Sequence, residues 1–399
     1  MTVKRVYLDY AATTPVDPEV VLVMQPYFLE KYGNSSSIHR FGQEALKSLD
    51  EARETIKNFL GAKEQREIIF TGSATEANNL AIKGLIFKIQ SARGRAKLKT
   101  RPHIITSEIE HESVLEPVRW LEKSGFADVT YIKPNSNGLI GVGDVESALQ
   151  PDTVLVSIHY ANNEIGTIQP VREIGKVIER FKEKSGLRPV YFHSDAVQAI
   201  QFLDSFVDKL KVDLLTLSSH KIYGPKGIGA LYVRQGVELE PVLHGGGQEY
   251  GLRSGTENIP LIVGFAVAVK KVIATREQEN IRLKILRDIF LAKLQKIYPG
   301  VIINGSWENR LPNNLNVTFP KIDGEFLLVS LSEAGMGVSS GSACSARAQE
   351  PSYVLGAIGR DAQDVKASLR ITLGRVTQTE DTEIFCQALE KVLNRLRKE

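Results

Sequence analysis

The run Val212-Asp213-Leu214-Leu215-Thr216-Leu217-Ser218-Ser219-His220-Lys221-Ile222-Tyr223-Gly224-Pro225-Lys226-Gly227-Ile228-Gly229-Ala230-Leu231-Tyr232-Val233 decides how the chain is read. Two short apolar segments bounded by Ser, Gly and Pro have the length and flanks of buried strands. Between them lies a lysine. An isolated lysine in a Ser/Gly-rich turn is ordinarily exposed, because lysine is seldom buried without a partner. One held at the rim of a core gives up its proton readily and becomes a nucleophile toward carbonyl groups. Lys221 is therefore a candidate Schiff-base lysine, and its neighbours in the fold decide between the two readings.

Upstream, strands and helices alternate. Asp17 caps a helix with Pro18 at its first position. Ala45, Leu49, Ala52, Ile56, Phe59 and Leu60 share one face of a second helix, which Gly61 ends. Residues 67–71, 103–106, 129–132, 154–158, 190–193 and 213–217 read as strands, and 74–87, 113–123 and 171–184 as helices. This is the pattern of an α/β fold, a large and mostly parallel sheet covered by helices. Such sheets bind ligands at the carboxyl ends of their strands. After about residue 260 the texture changes. A helix over 262–274, a charged helical stretch over 277–297 and short strands such as 314–319 predict a smaller α+β domain. The expected division is a large domain of residues 15–260 and a small one of 1–14 and 261–399.

Bulk properties narrow the function. The 399 residues are 42% hydrophobic and 24% charged, ordinary for a soluble globular chain. A net charge of +3 argues against direct nucleic-acid binding. No run approaches the roughly 18 apolar residues of a membrane span, and the first residues have no apolar signal core. The two cysteines, Cys344 and Cys386, give no disulfide framework. A cytoplasmic protein is expected. Lys88, Arg93, Arg95, Lys97, Lys99 and Arg101 read as a solvated loop after a helix.

Two further stretches carry chemistry. Thr71-Gly72-Ser73-Ala74-Thr75-Glu76-Ala77-Asn78-Asn79 joins a strand to a helix. Its small residues and the free N–H groups of the helix start suit a phosphate. The lysine of a nucleotide-binding P-loop is missing. Ser194-Asp195-Ala196-Val197-Gln198 follows an apolar strand, and Asp195 precedes Lys221 by 26 positions. An acid at one strand end and a lysine near another is the layout that pyridoxal phosphate needs: the carboxylate keeps the pyridine nitrogen protonated and the lysine holds the aldehyde.

Read together, Ser-Ala-Thr-Glu (73–76), Glu-His (110–111), Asn-Asn-Glu-Ile-Gly (162–166), Asp-Ala-Val-Gln (195–198), Ser-Ser-His-Lys-Ile-Tyr-Gly-Pro-Lys-Gly (218–227), Arg-Ser-Gly-Thr (253–256), Ser-Ser-Gly-Ser-Ala-Cys (339–344) and Ser-Leu-Arg-Ile-Thr-Leu-Gly (368–374) resemble the cysteine desulfurases. These are class V aminotransferase-like enzymes of the fold-type I pyridoxal-phosphate group. The resemblance runs in order from residue 6 to about 395. It implies conversion of L-cysteine to L-alanine in a homodimer, with pyridoxal 5′-phosphate as cofactor and no metal. The sulfur passes to an acceptor, an iron–sulfur scaffold or a tRNA-thiolation protein.

By position, the resemblance makes Lys221 the Schiff-base lysine and Asp195 the partner of the pyridine nitrogen. Gln198 bonds the ring's phenolic oxygen, and His111 stacks on the ring and handles protons. Ala74, Thr75, Ser218 and His220 hold the phosphate, and Thr256 reaches the phosphate of the other subunit. Asn163 touches cofactor and substrate, and Arg370 grips the substrate carboxylate, as a guanidinium does bidentately. Asn34 is a further substrate contact. Cys344 receives the sulfur as a persulfide. Its surroundings, Gly337 to Pro351, are small and polar, unlike those of a structural cysteine. Cys386, between Phe385 and Leu389 on a helical pattern, reads as packing.

Two features depart from the family. The basic stretch 88–101 is longer than expected and reads as a surface insertion. The chain closes at Glu399, where many members carry a longer tail that docks the scaffold. A selenocysteine or cystine lyase would share the cofactor residues without depending on Cys344. A non-catalytic sulfur carrier would keep the fold without the full set Lys221, Asp195, His111, Arg370 and Cys344. A nicotinamide oxidoreductase lacks its Gly-x-Gly-x-x-Gly turn.

Overall fold

The computed structural model describes residues 4–94, 101–185, 189–340 and 351–396. The strands are β1 (Val6–Tyr7), β2 (Ile68–Thr71), β3 (His103–Ser107), β4 (Asp128–Ile132), β5 (Thr153–Ser157), β6 (Tyr191–Asp195), β7 (Leu214–Ser218), β8 (Gly229–Val233), β9 (Ile302–Ile303), β10 (Asn314–Thr318), β11 (Met336–Gly337) and β12 (Ser368–Thr372). Seven of them form one sheet in the order β2-β8-β7-β6-β5-β3-β4. All its neighbouring pairs are parallel except those of β8, which runs antiparallel to both β2 and β7. Alternate residues of these strands enter two separate apolar layers. Ile105, Val156, Leu215 and Tyr232 go to one, and Ile104, Leu155, Leu214 and Leu231 to the other. The side-chain period of two explains why the strands read as continuous apolar runs, since both faces are covered.

The chain reverses its direction of growth across the sheet between β3 and β5. β4 lies to one side of β3, while β5, β6 and β7 follow on the other. Such a switch point opens a crevice at the carboxyl ends of the strands. A second, three-stranded antiparallel sheet has the order β12-β10-β9. β1 pairs in parallel with β11, and Asp9 forms an isolated bridge to Thr372 of β12. These pairings bring the first residues of the chain to its last third.

Three local expectations change. The helices expected at 262–274 and 277–297 are one helix, Ile259–Ile297. Nothing between Ala274 and Glu277 breaks a helix, and Thr275 Oγ1 donates to the Lys271 carbonyl within it. The helix expected at 74–87 runs on to Gly94, through a π-helical segment at Leu80–Gly84. There Gly84 lies against the chain at Glu240, whose N–H donates to the Gly84 carbonyl. The basic run is thus helical, not loop, from Lys88 to Gly94. Lys88 pairs with Glu238 and Arg101 with Asp128, and Arg95, Lys97 and Lys99 lie outside the described residues.

Candidate active site

A cavity of about 530 Å³ opens at the carboxyl ends of β5, β6 and β7. Its walls bring together Ala74, Thr75, His111, Asn163, Asp195, Gln198, Ser218, His220, Lys221 and Arg370. Thr256 lies beside a separate, smaller hollow with Gly72, Arg253 and Ile262. Asn34 is not among the cavity-lining residues, and its side chain accepts from the Ser36 N–H. Cys344 lies outside the described residues.

Asp195 ends β6 and is buried. Its Oδ1 accepts from the Val197 N–H at 3.0 Å, and its Oδ2 from Asn78 Nδ2 at 2.7 Å. The same Asn78 nitrogen lies 2.8 Å from Ser113 Oγ, which is 2.7 Å from His111 Nδ1. His111 caps the helix Glu112–Lys123. Burial holds its pKa below the ordinary value, against the opposing pull of Asp195. Two residues back on β6, His193 bridges Ser157 and Thr216 on the flanking strands. Burial takes it down to about 4, so it is a neutral strut beneath Asp195.

At the other end, Ser73 Oγ accepts the Glu76 N–H and starts the helix Ala74–Asn79. The Ala74 and Thr75 N–H groups then have no partner within the helix, and the dipole favours an anion there. A Cβ at Gly229 would meet the Ser73 carbonyl carbon at 2.7 Å and the Ala74 nitrogen at 2.8 Å. Only glycine lets β8 approach the helix start so closely. Ser218, His220 and Lys226 complete this end. His220 is pushed down to about 4 by burial, with Lys221 and Lys226 adding to it, and its Nδ1 lies 3.1 Å from Thr13 Oγ1.

Lys221 follows β7 in a single 3₁₀ turn, Ser219–Lys221. Its Nζ donates to the carbonyls of Ala11 at 2.6 Å and Ala12 at 2.7 Å. Gln198 Nε2 donates to the same Ala11 carbonyl at 3.0 Å. Arg370, on β12 of the three-stranded sheet, is buried and lines the same cavity. It donates to Asp9 Oδ1 at 2.8 Å and to the Asn163 carbonyl at 3.2 Å. Its Nε is buried with no hydrogen-bond partner among the described residues. A buried guanidinium with a spare donor, facing a cavity, is suited to a carboxylate.

The segment bearing Cys344 is rooted in this site at both ends. Ser339 exchanges backbone hydrogen bonds with Arg370. Beyond the segment, Ser352 Oγ donates to the buried Glu164 carboxyl at 2.5 Å, and the Tyr353 hydroxyl donates to the Glu110 carbonyl at 2.6 Å. Glu164 is pushed up to about 7 by burial, with Ser352 and Arg370 pulling the other way. By contrast Cys386 is buried, and burial raises its thiol to about 11, which fits a packing role.

Sequence reasoning passed over Asp9, Asn78, Ser113 and Glu164. Asn78 offered a signal: two asparagines in mid-helix are poor helix formers unless a side chain works in the tertiary structure. Asp9 offered none, because its partner lies 361 positions away.

Comparison with known proteins adds the lineage. The profile of the family described as Aminotransferase class-V matches residues 6–385. Relatives named cysteine desulfurase IscS include those of Dictyoglomus turgidum, 46% identical over 99% of this chain and 96% of the relative, and of Methanosarcina thermophila, 45% identical over 99% and 93%. Among solved structures, a NifS-like protein superposes with a TM-score of 0.89 at 37% identity, covering 98% of this chain and all of that one. A structure titled SspA in complex with cysteine gives 0.78 at 42% identity, over 92% and 98%. With the cavity between β5 and β7 and these full-length likenesses, the chain belongs to the class-V aminotransferase family and, within it, to the cysteine desulfurases.

Proposed function

We propose that this cysteine desulfurase uses pyridoxal 5′-phosphate to move the sulfur of L-cysteine onto Cys344 as a persulfide, releasing L-alanine. The observation that carries the reading is the convergence of Lys221, Asp195 and Arg370 on one cavity from three separate strands. The residues present fit the cofactor. A dianion is matched by the free N–H groups of Ala74 and Thr75 with Ser218, His220 and Lys226, and a ring cation by buried Asp195. When bound, the cofactor supplies an electron sink for charge developing at the substrate Cα.

Lys221 offers the amine that anchors the aldehyde and, at the same place, a base for the Cα proton. Arg370, steadied by Asp9, orients the substrate through its carboxylate. Gln198, Asn163 and, from the partner subunit of a homodimer, Thr256 add contacts. The Cys344 thiolate attacks the substrate sulfur, the carbon–sulfur bond breaks with its electron pair going to carbon, and that carbon is protonated to give alanine. The persulfide then passes to a sulfur acceptor protein, for iron–sulfur assembly or tRNA thiolation. A cytoplasmic location and a division into residues 15–260 against 1–14 plus 261–399 belong to the same reading.

The test is alanine and sulfide release from L-cysteine with a reductant, for the wild type and Cys344→Ser. Loss of both products in a variant that keeps its yellow colour supports the reading. Equal turnover by the variant overturns the persulfide step and favours a selenocysteine or cystine lyase.

A further inference from the structure

We propose that Asn78 and Ser113 are positioning residues that lock His111 into one neutral tautomer, with its proton on Nε2, making it a hydrogen-bond donor of fixed direction. The consequence for catalysis rests on the function proposed above, while the lock itself rests on geometry alone.

The direction of each hydrogen bond follows from its neighbour. An ionised carboxylate only accepts, so Asn78 must turn its NH2 toward Asp195 Oδ2, 2.7 Å away. The second hydrogen of that nitrogen goes to Ser113 Oγ at 2.8 Å. Ser113 Oγ therefore accepts from Asn78, and its own hydrogen is left for His111 Nδ1 at 2.7 Å. The Ser113 backbone N–H reaches the same nitrogen at 3.1 Å. Nδ1 thus receives two donors and holds no hydrogen of its own. In a neutral imidazole the proton must then sit on Nε2.

Forming the imidazolium would place a hydrogen on Nδ1, against both Ser113 donors. Turning the Ser113 hydroxyl away would aim it at the Asn78 NH2, and turning the amide would set its oxygen against the Asp195 carboxylate. Each step backward along the chain creates a new clash, so the lock is anchored at Asp195. The charged groups around His111 do not release it. Asp195, Glu112 and Glu110 favour the cation, but Lys221 and, above all, burial oppose it. Asn78 Oδ1 is buried without a hydrogen-bond partner among the described residues. The side chain thus gives up one acceptor bond to keep its donor end between Asp195 and Ser113. The proton at the substrate Cα then falls to Lys221, and His111 contributes an Nε2–H of fixed direction.

The test is nitrogen NMR of ¹⁵N-histidine-labelled holoenzyme, with the His111 signal identified by its loss in His111→Asn. The wild type should show a bare Nδ1 and a protonated Nε2 from about pH 5.5 to 8.5, where an ordinary histidine titrates. Ser113→Ala should admit the other tautomer and raise the midpoint by about one pH unit, the effect of losing one hydrogen bond. Ser113→Thr, which keeps the hydroxyl, should restore the wild-type spectrum. A proton on Nδ1 in the wild type, or an unchanged spectrum in Ser113→Ala, overturns the proposal. Alanine formation, measured on the same samples, reports on the proposed function separately, since it can fail while the nitrogen spectrum holds.

Discussion

Glu164 stands one residue from Asn163 and ties three parts of the site together. Its backbone carbonyl accepts from Asn314 and Asn316 of β10, and its carboxyl accepts from Ser352 beyond the Cys344 segment. A carboxyl this deep in the protein is easier to keep protonated than to ionise, and burial moves it up to about 7. The sign of its effect on stability follows. Below the ordinary glutamate pKa both the folded and the unfolded chain hold the proton. Between there and about 7 only the folded chain does, so stability falls as pH rises through that window. From the raised value the total loss is on the order of 3 kcal/mol. Glu164→Gln keeps a hydrogen-bond acceptor for Ser352 and does not titrate. Thermal midpoints from pH 5 to 8 should therefore fall more steeply for the wild type than for the variant. A constant difference between the two curves would show that Glu164 is ionised throughout.

At the scale of the element, the strands of the large sheet were legible because both of their faces are buried and each is bounded by turn residues. Residues 229–233 were read as they fold. The other strands shifted by one or two residues at one or both ends, as between the expected 154–158 and the observed Thr153–Ser157, or 190–193 and Tyr191–Asp195. The helix Arg40–Leu60 was equally plain, with Gly61 at φ 64° closing it. What periodicity cannot show is whether two adjoining helical patterns are joined. The long helix Ile259–Ile297 changes from an apolar to a charged surface near Ala274 because its surroundings change along its length, not because it ends.

That continuity has a function in packing. Arg276 donates to the Ile200 carbonyl and Asn280 to the Phe202 carbonyl, so the middle of the helix holds the chain just after Gln198. Thr275→Pro would remove an N–H and crowd the preceding turn at this point, at a cost of about 3 kcal/mol or more. Thr275→Ala should stay within about 0.5 kcal/mol of the wild type. Circular dichroism and thermal unfolding of the pair check this. Equal midpoints would mean that two helices meet here after all. In the site, by the same logic, Lys221 and Asp195 were legible because each follows a recognisable strand. Asp9, Ser113 and Glu164 act through side-chain contacts that local sequence does not encode, and Asn78 showed only as a poor helix former inside a helix.

At the scale of the whole molecule, a run of apolar side chains near the start of the chain is left uncovered. Leu22, Phe28, Leu29, Tyr32, Ile38 and Phe41 are all exposed, Leu29 at 83% and Ile38 at 92%. They fall within twenty residues of sequence, in the helices Pro18–Met24 and Pro26–Leu29, the loop beyond and the first turn of the helix Arg40–Leu60. Monomers rarely keep such clusters in water, and an extended one marks an interface. Its place in the fold bears on the site. Ser35, inside this loop, donates to Glu257 at 2.8 Å, next to Thr256. The apolar residues and Thr256 therefore share one region, outside the subunit's own cavity, as the proposed homodimer with Thr256 reaching across would need. Light scattering after gel filtration should give about twice the 44.2 kDa chain mass for the wild type. A Leu29→Asp/Ile38→Asp double variant should dissociate at micromolar concentration, because burying two charges in an apolar interface costs several kcal/mol. Thr256→Ala should remain dimeric and lose affinity for the cofactor. A wild type that runs as a monomer, or a double variant that stays dimeric with full cofactor occupancy, would place the interface elsewhere and return Thr256 to a purely local role.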